Sequence, residues 1–235
     1  MGSSQENPSG TPARLDLIYQ ALFARYGPQH WWPADEPFEV MVGAVLTQSA
    51  AWTNVEKAIA NLKLAGVLSP HSLREIPSQE LARLVYSSGY YNAKASKLKA
   101  LVQYLGDRYQ DSLPEMFSQA TAWLREELLA VHGVGEETAD SILLYAAEKP
   151  VFVVDAYTRR EFSRIGLCSE KDSYRTVQAL FMENLSPDSQ LFNEYHALIV
   201  RHGKEICLKR PLCGRCCLLK FCGFGGQAVD AQSLS

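Results

Sequence analysis

The chain has no apolar run approaching the roughly 20 residues that a bilayer span needs, and its opening MGSSQENPSGTP has neither the basic nor the apolar region of a secretion signal. Both absences argue against a membrane or secreted protein and set the expectation of a soluble, cytoplasmic one. Excess positive charge is missing too. A net charge of -3 argues against a protein that coats nucleic acid indiscriminately, because such binding rests on neutralising many phosphates. Cysteine is scarce before residue 207, where only Cys168 occurs, which does not suit a disulfide framework spread over a fold. Strand signals are also few. The most β-branched run, Val151 to Val154, is short, lies between Pro150 and Asp155, and has no second strand to pair with.

What is present is helical periodicity. With 235 residues, 47% of them apolar, the chain can bury a substantial core in one large domain or two small ones. Leu15, Ile18, Leu22 and Phe23 recur at helical spacing, as do Val40, Ala44 and Val45, then Val55, Ile59 and Leu62. Polar breaks separate these runs at GPQHWWPADEP, SPHS, SSGYYN, HGVGEE and SPDS. The expectation is a mostly α fold, with a disordered leader at 1–13 and a disordered tail at 224–235.

Charge and cysteine gather near the C-terminus. Arg201, Lys204, Lys209, Arg210, Arg215 and Lys220 are opposed only by Glu205, as in a basic binding face or an ordinary solvated one. Cys207, Cys213, Cys216 and Cys222 have gaps of five, two and five residues, with Cys217 as the spare. Four thiolates suit a [4Fe-4S] cluster or a structural zinc, and the spacing alone does not separate the two. The five histidines, at 30, 71, 132, 196 and 202, show no ligand pattern and read as structural or surface residues.

Between two amphipathic stretches lies Gly133-Val134-Gly135. Glycines here permit positive φ and close approach of another backbone, and Val134 can plug the space between the helices. The N-H groups at the following helix start can seat a phosphate oxygen, a contact that positions nucleic acid without reading bases. An ordinary glycine-capped corner fits the same residues. Asp155 before AYTRREFSRIG reads locally as a helix N-cap. Trp31, Trp32 and Trp52 lie in turn-rich stretches, either to seal a domain junction or to offer stacking surfaces.

HGVGEETADSILLYA resembles the helix-hairpin-helix of the endonuclease III superfamily, and VFVVDAYTRR resembles its aspartate segment. Similarity extends to GAVLTQSAAWTNVEKA, to GYYNAKASKL and to the cysteine group, so it covers Phe38 to Cys222. The resemblance implies an all-α protein with two helical lobes. The central lobe, 38–147, carries the hairpin; residues 14–37 with 148–223 form the other lobe, which bears a C-terminal [4Fe-4S] loop. DNA is expected across the cleft between them.

The resemblance further implies a DNA glycosylase of base excision repair that flips a damaged base from the duplex. Asp155 matches the catalytic aspartate, whose carboxylate can stabilise an oxocarbenium-like sugar and orient water. Gln48 matches the residue that fills the gap in the duplex. Gly133, Val134, Gly135 and Thr138, with Lys209 and Arg210, are the implied DNA contacts. Members that also cleave the backbone carry a lysine two residues after the second glycine, whose amine forms a Schiff base; here that residue is Glu137. The expectation is a monofunctional enzyme using water, unless Lys94 or Lys204 substitutes. HWWPADEPFEVMVGAVLTQSAAW, with Glu137, looks like the branch that removes alkylated purines such as 3-methyladenine. In that branch Trp31, Trp32, Trp52 and Glu137 would line the base pocket, and an electron-poor purine gains from stacking on tryptophan. The implied partner is double-stranded DNA containing a damaged base, met by a monomer. A glycosylase acting on oxidised pyrimidine or mismatched adenine, and a non-catalytic DNA-binding module, are the alternatives.

Overall fold

A computed structural model of the chain describes residues 10–227. It contains helices and no strand among the described residues. Two compact units emerge, one from the chain up to Trp31 and from Pro150 onward, the other from Trp32–Lys149. The second unit therefore takes in residues on both sides of the expected 38–147. No helix of the described residues is long and apolar enough to cross a membrane.

The Trp32–Lys149 unit is built round α2 (Pro37–Leu46), every residue of which from Phe38 onward is buried. A helix apolar on all sides must be covered on all sides. Its cover comes from α3 (Trp52–Leu64), α6 (Tyr91–Tyr109) and α9 (Glu136–Ser141), which runs into a π-turn at Ile142–Ala146. The short helices α4 (Pro70–Glu75) and α5 (Ser78–Leu84) close the far side of α6. The hairpin is prepared by α7 (Leu113–Ser118) and α8 (Thr121–Ala130).

The other unit packs α1 (Thr11–Tyr26) and α10 (Ala156–Ile165) against α12 (Ser189–Glu205), with α11 (Tyr174–Met182) completing the set. Its centre is aromatic: Phe152 stacks on Phe181 at 3.8 Å and meets Phe192 and Tyr195 edge-on. The Tyr195 hydroxyl donates to the Leu15 carbonyl at 2.9 Å, which satisfies a fully buried phenol and pins α1. Helix α1 begins at Thr11, inside the stretch expected to be a disordered leader, with Pro12 suited to a first turn. Residues 223–227 are likewise helical, against the disorder expected from 224; the remainder of both expectations lies outside the described residues.

The β-branched run Val151–Val154 is extended and buried without belonging to a sheet. Side chains of α11 take the place of a strand partner. Gln178 donates its amide to the Phe152 carbonyl at 2.7 Å, and the Val154 N-H donates to the Tyr174 hydroxyl at 3.3 Å. Buried backbone groups must find partners, and these need not be backbone.

In the Trp32–Lys149 unit, Arg74 grips both carboxylate oxygens of Asp111, at 2.9 and 2.5 Å, and donates to the Val102 carbonyl at 2.8 Å. The Arg74 guanidinium holds the Asp111 carboxyl below its usual range, chiefly by hydrogen bonding. With 22% and 26% of the two side chains exposed, solvent screens part of the pair. A carboxylate whose pKa is lowered on folding stabilises above its ordinary pKa and loses that contribution as pH falls through its folded value. Asp111→Asn is therefore expected to destabilise by about 1 kcal/mol at neutral pH. In paired urea titrations the difference should shrink once the pH drops below about 3.9.

Candidate functional site

The hairpin joins α8 to α9 through Val131–Gly135. Gly133 has φ of +82°, which favours glycine, and a Cβ built there would lie 2.2 Å from Lys97 Cγ. Gly135 differs: its φ is -97° and a Cβ would meet nothing within 4 Å. Its bare surface is thus not required by the protein's own packing. Val134 is buried between them. Arg125 of α8 clamps the fully buried Asp140 of α9 with bonds of 2.6 and 3.0 Å, which holds the two helices of the hairpin at one angle.

Gln48, in the turn after α2, donates its amide to the Gly133 carbonyl at 3.0 Å and to the Thr138 hydroxyl at 2.9 Å, while the Lys97 ammonium donates to its amide oxygen. The structure thus brings Gln48, Gly133 and Thr138 together. Thr138 is itself buried, and Glu137 stands exposed in the first turn of α9. An acidic residue there is favoured by the exposed N-H groups of a helix start.

Trp32 lies edge-on to Trp52 at 5.2 Å and tilted to Tyr145 at 5.3 Å. Gly43 makes room for it, since a Cβ there would come within 2.9 Å of the Trp32 ring. Trp31 belongs to the other unit and lines a surface cavity on α12 with Gln29, Arg201 and Lys204. Lys94 is almost fully buried, its ammonium donating to the Leu46 carbonyl at 2.8 Å and the Ser88 carbonyl at 2.6 Å. Burial first, and Lys97 second, pull its pKa down to about 8. An amine fastened in this way cannot meet a sugar without breaking both bonds. Lys204, by contrast, is exposed and sits 6.0 Å from the centre of the Tyr157 ring.

Asp155 caps α10. Its Oδ1 accepts from the Thr158 N-H at 2.8 Å and the Thr158 hydroxyl at 3.0 Å, and 13% of the side chain is exposed. Its Oδ2 lies 3.6 Å from Nε2 of His196 on α12, whose pKa burial pushes down. Sequence pattern offered no sign of this histidine, because α12 reads as a plain amphipathic helix.

The four cysteines of the C-terminal loop line one small pocket, with Arg164 and Phe224 also in its wall; Cys217 is outside it. Hydrogen-bond donors reach three of the four sulfurs. Arg164 donates to Cys207 at 3.2 Å and the Gly225 N-H to Cys222 at 3.3 Å, while His202 Nε2 lies 3.3 Å from the Cys216 sulfur. Burial pushes the Cys207 thiol up to about 11, so its thiolate needs nearby positive charge, which a metal would supply. Among the described residues no three Cys, His, Asp or Glu side chains converge as around a single ion. The donor set nonetheless fits a polynuclear group, which four thiolates bind at its corners rather than at a common point. Lys209, Arg210 and Arg215 are exposed around this loop.

Residues 42–187 match the HhH-GPD superfamily of base excision DNA repair proteins. A Methanocaldococcus jannaschii chain that carries the provisional name of DNA repair glycosylase is 45% identical over 87% of this chain and 94% of its own length. Endonuclease III of Thermotoga maritima is 31% identical over 80% of this chain and 84% of that protein. The H. pylori 3-methyladenine DNA glycosylase, solved with 1,N6-ethenoadenine bound, is 31% identical and superposes with a TM-score of 0.73 over 82% of this chain and 97% of that one. The chain therefore belongs to the HhH-GPD superfamily and is a base excision DNA glycosylase with a helix-hairpin-helix that binds DNA.

The two glycines of the hairpin are expected to fail in different ways. Gly133→Ala forces a Cβ into the Lys97 stem at a positive φ and should lower stability by about 1–2 kcal/mol in thermal or urea unfolding. Gly135→Ala should be no less stable yet weaken binding to undamaged duplex, measured by fluorescence anisotropy, because only an approaching strand meets its methyl group.

Proposed function

We propose that this glycosylase is monofunctional and hydrolyses the N-glycosidic bond of an alkylated purine, 3-methyladenine above all. Two features support the reading. Glu137 occupies the position where the backbone-cleaving relatives carry their imine-forming lysine. The Trp32, Trp52 and Tyr145 group offers the rings on which an electron-poor base stacks with a cation-π advantage. Trp31, beside the cationic Lys204 and Arg201, is proposed as a further wall of the base pocket.

In the reaction the chain's own groups have distinct tasks. The hairpin fixes the strand without reading bases. Gln48 enters the duplex where the extruded base has left, which requires it to give up its bonds to Gly133 and Thr138. Departure of the base leaves positive charge on deoxyribose. The Asp155 carboxylate, one oxygen held by the α10 cap, supports that charge and orients the water that attacks the sugar. Because the methylated base is already a good leaving group, no covalent enzyme intermediate is needed.

Cys207, Cys213, Cys216 and Cys222 are proposed to hold a [4Fe-4S] cluster, which when bound rigidifies the loop that presents Lys209 and Arg210 to phosphate. The enzyme is proposed to act as a monomer. Cys216→Ser should remove the broad visible absorption of the purified protein and Cys217→Ser should leave it, whereas a colourless native protein containing zinc would decide for the other metal.

The position of the Asp155 carboxylate carries this proposal, and a lesion panel tests it. Duplexes containing 3-methyladenine, thymine glycol or mismatched adenine are incubated with the enzyme, and base release and strand nicking are read separately. Release from the 3-methyladenine duplex alone is expected, with no nick until base is added and no adduct trapped by borohydride. Asp155→Asn should slow release by on the order of 10² or more. Nicking or a trapped adduct would overturn the monofunctional reading and point to Lys204. Preference for thymine glycol or mismatched adenine would transfer the enzyme to another branch, and no release from any duplex would favour a DNA-binding module.

A further inference from the structure

Outside the hairpin, the aromatic group and the cysteine loop, one buried titratable side chain faces the reaction's carboxylate. His196 lies in the middle of α12, which no resemblance singles out, with 6% of its surface exposed. Its ring meets Phe152 edge-on at 6.3 Å, and Phe152 is stacked in turn on Phe181, so the imidazole sits against the aromatic centre of its unit. Its Nε2 is 3.6 Å from Asp155 Oδ2. Asp155 Oδ1 is already engaged by both donors of Thr158.

The carboxylate is thus approached from two sides by two elements. Thr158, on its own helix, governs one oxygen, and His196, on α12, faces the other. We propose that His196 is a positioning residue for the glycosylase reaction, its Nε2 fixing Asp155 Oδ2 as the sugar is drawn in. The inference rests on the reading of Asp155 as the charge-supporting carboxylate and adds to it a second support.

A separation of 3.6 Å is longer than a hydrogen bond, and catalytic hydrogen bonds commonly tighten, or are bridged by one water, only in the substrate complex. Charge decides what kind of support this can be. An imidazolium beside Asp155 would cancel the negative charge that the oxocarbenium-like sugar requires, whereas a neutral imidazole bearing its proton on Nε2 donates a hydrogen bond and leaves that charge in place. The surroundings favour the neutral ring. Burial disfavours the protonated form, and the Lys204 cation two turns along α12 adds to that effect against the opposing pull of Asp155. A neutral donor therefore orients the carboxylate, and orientation within a fraction of an ångström matters in a step whose catalysis is largely electrostatic.

The test is single-turnover base release from the duplex preferred in the lesion panel. It compares the native protein with His196→Gln, His196→Leu, Asp155→Asn and the Asp155→Asn/His196→Leu double variant. Thermal unfolding and affinity for the lesion duplex are measured on each. Glutamine keeps an amide donor near the place of Nε2, and leucine fills the space without one. If His196 orients Asp155, His196→Leu slows release by on the order of 10- to 100-fold while duplex affinity changes by less than about threefold. His196→Gln then recovers most of the rate, and His196→Leu adds no further loss on top of Asp155→Asn, as residues acting as one unit do. Equal rates for the glutamine and leucine variants, or losses that multiply in the double variant, would overturn the inference. The glutamine arm holds even if the leucine variant does not fold, because a His196→Gln protein that unfolds normally but has lost release also overturns it. Asp155→Asn keeping full activity would instead sink the reading of Asp155 itself, a result distinguishable from failure of His196 alone.

Discussion

The part proposed for Asp155 requires a carboxylate that is held still, and the hold is its N-cap bond with Thr158. The same helix, α10, carries much more along its length. Arg160 donates to the Gly203 carbonyl at 2.9 Å and the Cys207 carbonyl at 2.7 Å, Glu161 pairs with His202 at 2.9 Å, and Arg164 reaches the carbonyls of Leu208 and Lys209 at 2.7 and 3.1 Å. One helix thus begins at the Asp155 cap and then fastens the end of α12 and the start of the cysteine loop. The order of the cysteine loop is thereby shared with the helix that Asp155 caps.

The Trp32–Lys149 unit solves a different problem, that of presenting bare backbone without collapse. Its buried centre α2 leaves no slack, and the Arg125–Asp140 clamp keeps α8 and α9 apart at a set angle. Asp140 is fully buried, and its charge is tolerable because a guanidinium meets both oxygens. Removing Arg125 would take both of these bonds from a buried carboxylate. The cost of that arrangement is accepted where geometry of the turn decides how a strand is gripped.

Local features of the sequence disclosed much of this. Helices were readable because their apolar residues recur at close spacing, and the hairpin because two glycines interrupt that spacing. The aspartate stood out as a cap, which the structure shows it to be, and the chemical part proposed for it came only from resemblance. Contacts between distant residues left no local mark. Tyr145 joining Trp32, Gly43 opening a seat for that ring, Arg125 meeting Asp140 and His196 facing Asp155 all depend on how helices pack. Neither periodicity nor composition encodes a meeting of residues 41 positions apart. The basic residues at 209, 210 and 215 were visible as a charge run, yet the residue that ties the loop in place, Arg164, lay in another helix altogether.

The segment that delivers the chain to Asp155 is held by amino-acid identity and not by a repeating backbone pattern. In a helix or sheet the main chain supplies its own partners, so drift at most positions leaves the scaffold intact. Along Val151–Val154 the corresponding bonds come from the side chains of Gln178 and Tyr174. Mutational freedom is correspondingly narrow at those two positions of α11, and a lineage that lost them would have to reinvent the path of the chain into α10.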